Sequence, residues 1–67
     1  MFKNIEIELL KRGKTRRWLA AEIGISESSL RNKLKGRQEF TFSELERIIQ
    51  IFDLPWNYLF ERTEVAG

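Results

Sequence analysis

The sequence lacks two residue types that carry much of protein chemistry: it has no cysteine and no histidine among its 67 residues. Without them, disulfides, the common zinc sites and histidine-dependent nucleophiles are excluded. A chain of this length buries only about 60% of its unfolded surface, so we expect one marginally stable domain. No phosphate-binding glycine loop is present, and so small a domain has little room for a cleft. We therefore expect no enzyme, no metal site and no cofactor.

Long apolar stretches are also missing. No run approaches the roughly 20 apolar residues that a membrane-spanning helix needs. The first eleven residues, MFKNIEIELLK, mix charged and apolar side chains instead of forming the apolar centre of a signal peptide. We therefore expect a cytoplasmic protein with no membrane partner and no small-molecule substrate.

Charge is unevenly distributed, although the formal net charge is only +2. Residues 1–37 contain ten Lys or Arg and four Asp or Glu, which gives +6, whereas residues 38–67 contain two and six, which gives −4. Such asymmetry between halves is typical of nucleic-acid-binding proteins. An ordinary solvated surface explains it about equally well, so charge alone does not decide between the two.

Apolar residues recur at helical spacing and predict five short helices and no strand. The first covers about residues 2–12, with Phe2, Ile5, Leu9 and Leu10 facing inward, and stops at Gly13. The second is capped by Thr15 and ends at Ile23, with Leu19, Ala20 and Ile23 inward. Trp18 lies off this stripe. It is either an exposed contact residue or a cover for neighbouring side chains, and we favour the cover.

The third predicted helix follows a turn at Gly24 and a cap at Ser26, and runs from Glu27 to about Lys35. With Leu30 and Leu34 inward, polar side chains occupy the outward face. These are Ser28, Arg31, Asn32 and Lys35, with Glu27 at the leading edge. This face has hydrogen-bonding groups and no large apolar residue.

The fourth helix is the most clearly marked. Thr41 and Glu44 have the spacing of a capping box, and an inward stripe follows at Leu45, Ile48, Ile49 and Phe52. Asp53 and Leu54 interrupt the pattern, and a short last helix extends from Pro55 or Trp56 to Glu61. Residues 62–67 are expected to fray.

Residues 15–36 thus have the order of a helix-turn-helix: two short helices joined by a glycine turn, the second with a polar outer face. In that motif the first helix crosses the phosphate backbone of DNA, and the second lies in the major groove with its N-terminal residues at base edges. The groove admits one helix and displays a donor and acceptor code.

The chain resembles the lambda-repressor/Cro-like helix-turn-helix family, also called XRE-like, over about residues 4–60. The resemblance rests on Thr15, Leu19-Ala20, Ile23-Gly24-Ile25-Ser26, Ser29-Leu30 and Gly36-Arg37, and on Leu45, Ile48, Ile49, Leu54, Trp56 and Leu59-Phe60. It is most similar to small regulators of phages and prophages of Gram-positive bacteria. The resemblance implies an all-α, compact five-helix DNA-binding domain over residues 1–67. It also implies a sequence-specific transcriptional regulator of Cro/repressor type, in the bacterial cytoplasm or a phage-infected host, with residues 27–35 as the recognition helix.

The same resemblance implies roles for single residues. The base readers are Glu27, Ser28, Arg31 and Asn32, and the phosphate contacts are Arg16, Arg17, Lys35 and Arg37, with Lys14 and Lys33 as further candidates. Three features depart from the family pattern. Arg16 stands where the family usually has glutamine, and Asp53 stands where many relatives have glycine. Lys33 and Leu34 stand where the family often has an apolar residue followed by glutamate.

The expected partners are double-stranded DNA with a palindromic operator and a second copy of the chain. Aromatic residues near the C-terminal end form the proposed dimer face, namely Phe52, Trp56, Tyr58 and Phe60. Alternatively, these residues only close the helical bundle. The competing function is a protein-interaction module on the same fold, antitoxin-like or a modulator of another phage regulator. An exposed Trp18 and Ile51 would favour it.

Overall fold

The computed structural model describes residues 2–62, which form five helices and no strand. The helices are α1 (Lys3–Lys11), α2 (Arg16–Ile23), α3 (Glu27–Leu34), α4 (Phe42–Phe52) and α5 (Trp56–Leu59). These bounds agree with the sequence-based prediction to within two residues at each end. Except for Arg62, the tail predicted to fray lies outside the described residues. None of the five helices is long and apolar enough to cross a membrane.

Side-chain caps begin α2, α3 and α4, and all three were predicted from the sequence. Thr15 Oγ1 accepts the Trp18 N–H at 3.1 Å, and Ser26 Oγ accepts the Ser29 N–H at 3.1 Å. At α4, Thr41 and Glu44 complete a reciprocal capping box. Helices of eight to eleven residues are marginal in isolation, so these caps determine where each one starts.

Left-handed residues end α2 and α4. Gly24 has φ 79°, and Asp53, at φ 54°, is the one non-glycine residue of positive φ in the described range. The Asp53 N–H donates to the Ile49 carbonyl at 2.8 Å, which closes the last turn of α4. Aspartate tolerates this conformation better than most residues, so Asp53 serves where glycine would be usual.

The core receives side chains from all five helices and from Phe2. It comprises Phe2, Ile5, Leu9, Leu19, Ala20, Leu30, Leu34, Ile48, Phe52 and Leu59. Phe2, Phe40 and Phe60 also form an aromatic cluster with ring centroids 5.6–5.7 Å apart. This cluster joins the start of the chain to the loop before α4 and to the end of α5.

The inward face of α1 differs from the prediction. Leu10 was placed in the core but is 82% exposed, whereas Glu8 is buried. Leu10 lies about 100° around the helix from Leu9, away from Ile5 and Leu9. Ile7, which the stripe did not place, is exposed at the surface.

Candidate nucleic-acid interface

α2 and α3 form one packed unit around the turn at residues 24–26. The Ile25 N–H donates to the Ala20 carbonyl at 3.0 Å, and Ile25 itself packs against the core. Leu19 and Ala20 of α2 share that core with Leu30 of α3. The backbone turn and the apolar contacts therefore fix how α3 is held against α2.

The inner and outer sides of α3 are clearly separated. Leu30, Lys33 and Leu34 are buried, whereas Glu27, Ser28, Arg31 and Lys35 are exposed and Asn32 is half-buried. The outward face predicted from the sequence is therefore the face that α3 presents to solvent. Ser29, at the edge, is held locally by a 2.9 Å hydrogen bond between its hydroxyl and that of Ser26.

The side chains on this outward face are unengaged. Among residues 2–62, Ser28, Arg31, Asn32 and Lys35 make no side-chain hydrogen bond or ion pair. Their donors and acceptors face water instead of stabilising the fold. A ligand with complementary groups can bind them without breaking an existing contact.

The predicted phosphate residues lie at both ends of this unit. Arg17 and Arg37 are exposed, and Arg16 is exposed with its Nη1 atom 3.5 Å from Glu6 Oε1. An exposed pair of that kind contributes little, so an anion can displace Glu6 from Arg16. Lys14 Nζ lies 5.0 Å from the centre of the Trp18 ring.

Lys33 does not fit the phosphate role. Its side chain is buried, and its ammonium donates a 2.5 Å hydrogen bond to Glu44 Oε1 of α4. Lys33 follows Leu30 by three residues and precedes Leu34, so helical spacing places it on the inner side of α3. This spacing is a sequence signal for an inward lysine, and the expectation that Lys33 contacts phosphate is wrong.

Trp18 is half-buried and packs against the core, as the covering interpretation expected. Ile51, whose exposure would have favoured the competing function, is also half-buried and packed against the core. Neither residue therefore forms an exposed contact surface for a partner.

The proposed dimer face needs correction. Phe52 is 1% exposed and belongs to the core, because its position in the α4 stripe turns it inward. Tyr58 is half-buried, and its hydroxyl donates to Glu8 Oε2 at 3.0 Å. Phe60 lies in the aromatic cluster, and only Trp56 of the four is largely exposed, at 67%.

An apolar groove lies beside Trp56, between α4 and α5. It encloses about 580 Å³ and includes Phe42, which is 75% exposed and which sequence reasoning missed. Phe42, Leu45 and Ile49 follow one another at i, i+3 and i+7, and this second stripe on α4 was the available signal. The groove is lined by Phe2, Glu39, Phe40, Phe42, Leu45, Glu46, Ile49, Trp56, Phe60 and Arg62.

Two carboxyl groups away from the α3 face have shifted pKa values. The Tyr58 hydroxyl lowers the pKa of Glu8, and Lys11 and Arg12 lower it further, against the opposing effect of burial. Burial alone would raise the pKa of Glu44, but hydrogen bonds from Lys33 and from the Thr41 backbone outweigh burial and lower it. Both groups therefore connect helices as carboxylates at neutral pH.

Comparison with known protein families identifies a match. The model of the BetR domain family matches residues 6–67, whereas no curated protein and no solved structure matches the chain. This match does not confirm the resemblance to the lambda-repressor/Cro-like family, which stays a prediction. Because the match covers nearly the whole chain, this small helical protein belongs to the BetR domain family.

Proposed function

We propose that the chain is a sequence-specific, double-stranded DNA-binding transcriptional regulator of the phage Cro/repressor type, without enzymatic activity. The observation that carries the proposal is the outward face of α3. Ser28, Arg31 and Lys35 are exposed there, and no large apolar residue interrupts them. Membership of the BetR domain family, a small helical domain of regulatory character, is consistent with this function.

In this proposal the outward face of α3 meets the base edges. Arg31 pairs with the O6 and N7 atoms of guanine, and Asn32 with the N6 and N7 atoms of adenine. Glu27 accepts a hydrogen bond from a cytosine amino group, and Ser28 donates to or accepts from either base of a pair. These four side chains supply the sequence preference.

Phosphate contacts supply orientation and most of the affinity that does not depend on sequence. Arg16 and Arg17 at the start of α2 hold one segment of backbone, and Lys35 and Arg37 after α3 hold another. Each basic side chain that neutralises a phosphate releases condensed cations and steepens the salt dependence of binding.

A homodimer on a palindromic operator completes the proposal, with half-sites about 34 Å apart. The dimer face in this proposal is the apolar groove, which includes Trp56 and Phe60 of the four aromatic residues predicted from the sequence. Its exposed members Phe42 and Trp56 are unpaired apolar surface, and surface of this kind marks interaction sites.

The dimer is tested by sedimentation equilibrium of the free protein over a wide concentration range. Phe42→Ser should weaken self-association, because it removes exposed apolar surface from the groove. Leu10→Ser is the matched control, since Leu10 is equally exposed but lies outside the groove. A wild-type protein that stays monomeric throughout contradicts a stable dimer in the absence of DNA.

The groove also favours a second candidate function, that of a protein-interaction module that binds an apolar segment of another protein. The two functions differ in what they require of α3. A pure interaction module has no need for an unengaged Arg-Asn-Lys face between two basic clusters. Substitutions on α3 would then leave its activity unchanged, whereas Phe42→Ser would abolish it.

The decisive experiment selects bound sequences from a random pool of duplex DNA and then measures affinity against salt concentration. We expect one enriched, palindromic motif and a log–log slope of about −0.9 for each phosphate contact. A slope near zero together with no enriched motif would refute DNA binding. A steep slope without an enriched motif would indicate non-specific DNA binding only and would refute the proposed role as a sequence-specific regulator.

A further inference from the structure

One buried ion pair joins α3 to α4. Lys33 and Glu44 are 11% and 12% exposed at their side chains, and the Lys33 ammonium donates to Glu44 Oε1 at 2.5 Å. The same oxygen accepts the Thr41 N–H at 2.9 Å. Within residues 2–62, this is the only side-chain hydrogen bond or ion pair between α3 and another helix.

The other contacts of α3 are apolar or involve its backbone. Leu30 and Leu34 pack in the core, and apolar contacts of this kind lack the directionality of a hydrogen bond. A backbone hydrogen bond from the Phe2 N–H to the Leu34 carbonyl, 2.9 Å long, holds the C-terminal end. The ion pair at Lys33, the residue before Leu34, adds a directional contact on the inner side of α3.

Stability by itself does not explain this pair. Apolar side chains of similar volume are often as stable as a buried ion pair, whereas loss of one partner is strongly destabilising. In some systems the benefit of such a pair is one fixed arrangement in place of several. Glu44 is also fixed on α4 by the capping box, so Lys33 binds to an acceptor that is itself held in place.

We propose that Lys33 and Glu44 are positioning residues that set the rotation of α3 about its axis, and thereby which bases Arg31 and Asn32 meet. The inference rests on the proposed DNA-binding function. Lys33 directly follows Asn32, so a rotation of the helix that moves Lys33 moves Asn32 with it. The pair itself touches no DNA and acts through the outward face.

Lys33→Met tests the pair, since it keeps the apolar stem and removes the charge. We expect the variant to stay folded, its preference for the selected motif over random DNA to fall about tenfold, and its selected motif to change. Lys33→Arg keeps a cation within reach of Glu44 and should restore the preference. If Lys33→Met does not fold, Glu44→Gln replaces it, because its amide oxygen still accepts the Thr41 N–H.

Lys35→Met is the matched control on the same helix. Lys35 is exposed and unengaged among the described residues, so its loss should weaken binding to motif and random DNA alike and reduce the salt slope. A purely stabilising role for Lys33 predicts a lower melting temperature with an unchanged motif and preference. That result for the folded variant would overturn the proposal.

A second measurement does not depend on DNA. Residual dipolar couplings of backbone amides report the orientation of α3 relative to α4 in the free protein. We expect Lys33→Met to change the couplings of α3 against those of α4, and Lys35→Met to leave them unchanged. If the wild-type protein selects no motif, the proposed function fails, and unchanged couplings in Lys33→Met would separately refute the positioning role.

Discussion

Two neighbouring leucines of α1 have opposite environments. Leu9 is 3% exposed and Leu10 is 82% exposed, although both fit an apolar pattern in the sequence. The difference follows from the 100° step between successive helical residues and from Glu8, which is buried on the side that faces α5. The burial of a residue in α1 therefore depends on what its side of the helix packs against, and not on its hydrophobicity alone.

The two leucines give a stability prediction with an internal control. Leu9→Ala should lower the free energy of unfolding by about 2–5 kcal/mol, because it removes apolar contacts and leaves a cavity. Leu10→Ala should change it by no more than about 0.5 kcal/mol. Urea denaturation followed by circular dichroism measures both, and equal effects would contradict the assigned orientation of α1.

A second residue-scale prediction concerns base readout. Asn32→Ala should cost about 1–3 kcal/mol of binding free energy and relax the preference at one base position. Asn57→Ala, an exposed asparagine of α5 away from the α3 face, is the matched control and should bind as the wild type does. Competition binding with single-base operator variants measures the change. Uniform loss across all variants would instead make Asn32 a backbone contact.

At the scale of elements, helix starts were the most predictable feature. Thr15, Ser26 and Thr41 each precede an apolar stripe, and a hydroxyl that accepts an N–H two or three residues later is a local interaction. Local interactions depend only on nearby sequence, so the cap and the first turn could be located without the fold. The length of α5 was less predictable, because Phe60 leaves the helix to join the aromatic cluster.

The α4 cap provides the element-scale prediction. Thr41→Ala should destabilise the protein by about 1 kcal/mol, since the Glu44 N–H loses its acceptor at the start of the helix. Ser43→Ala, inside the same first turn and exposed, is the control and should have little effect. Thermal unfolding monitored at 222 nm distinguishes the two. A Thr41 variant as stable as the control would show that the cap contributes nothing.

At the scale of the whole molecule, carboxylates connect different helices. Glu8 of α1 accepts the Tyr58 hydroxyl of α5, and Glu44 of α4 accepts the Lys33 ammonium of α3. The pKa of each carboxyl lies below its ordinary value of 4.5. Each therefore stabilises the fold above pH 4.5, and this stabilisation is lost as the pH falls through the lower pKa of the folded state.

The melting temperature should accordingly fall as the pH is lowered below 4.5. Glu8→Gln should flatten this dependence, because glutamine has no charge to lose. Tyr58→Phe should flatten it partly, since it removes the hydroxyl that contributes most to lowering the pKa of Glu8. Melting curves at a series of pH values test both variants. An unchanged pH dependence in Glu8→Gln would exclude this carboxylate as a cause of acid destabilisation.

The sequence by itself determined five helices, their caps and the polar outer face of α3, because all of these follow from spacing and from contacts within a few residues. Only the tertiary structure decided which apolar and charged residues are buried. Phe52 was predicted at a dimer face and Lys33 at phosphate, yet both are buried. Helical spacing places each on the inward side of its helix, but only the packing of several helices shows that neighbouring elements cover that side. The groove at Phe42 and the Lys33–Glu44 ion pair depend on how α4 packs against α5 and α3, so only the tertiary structure shows them.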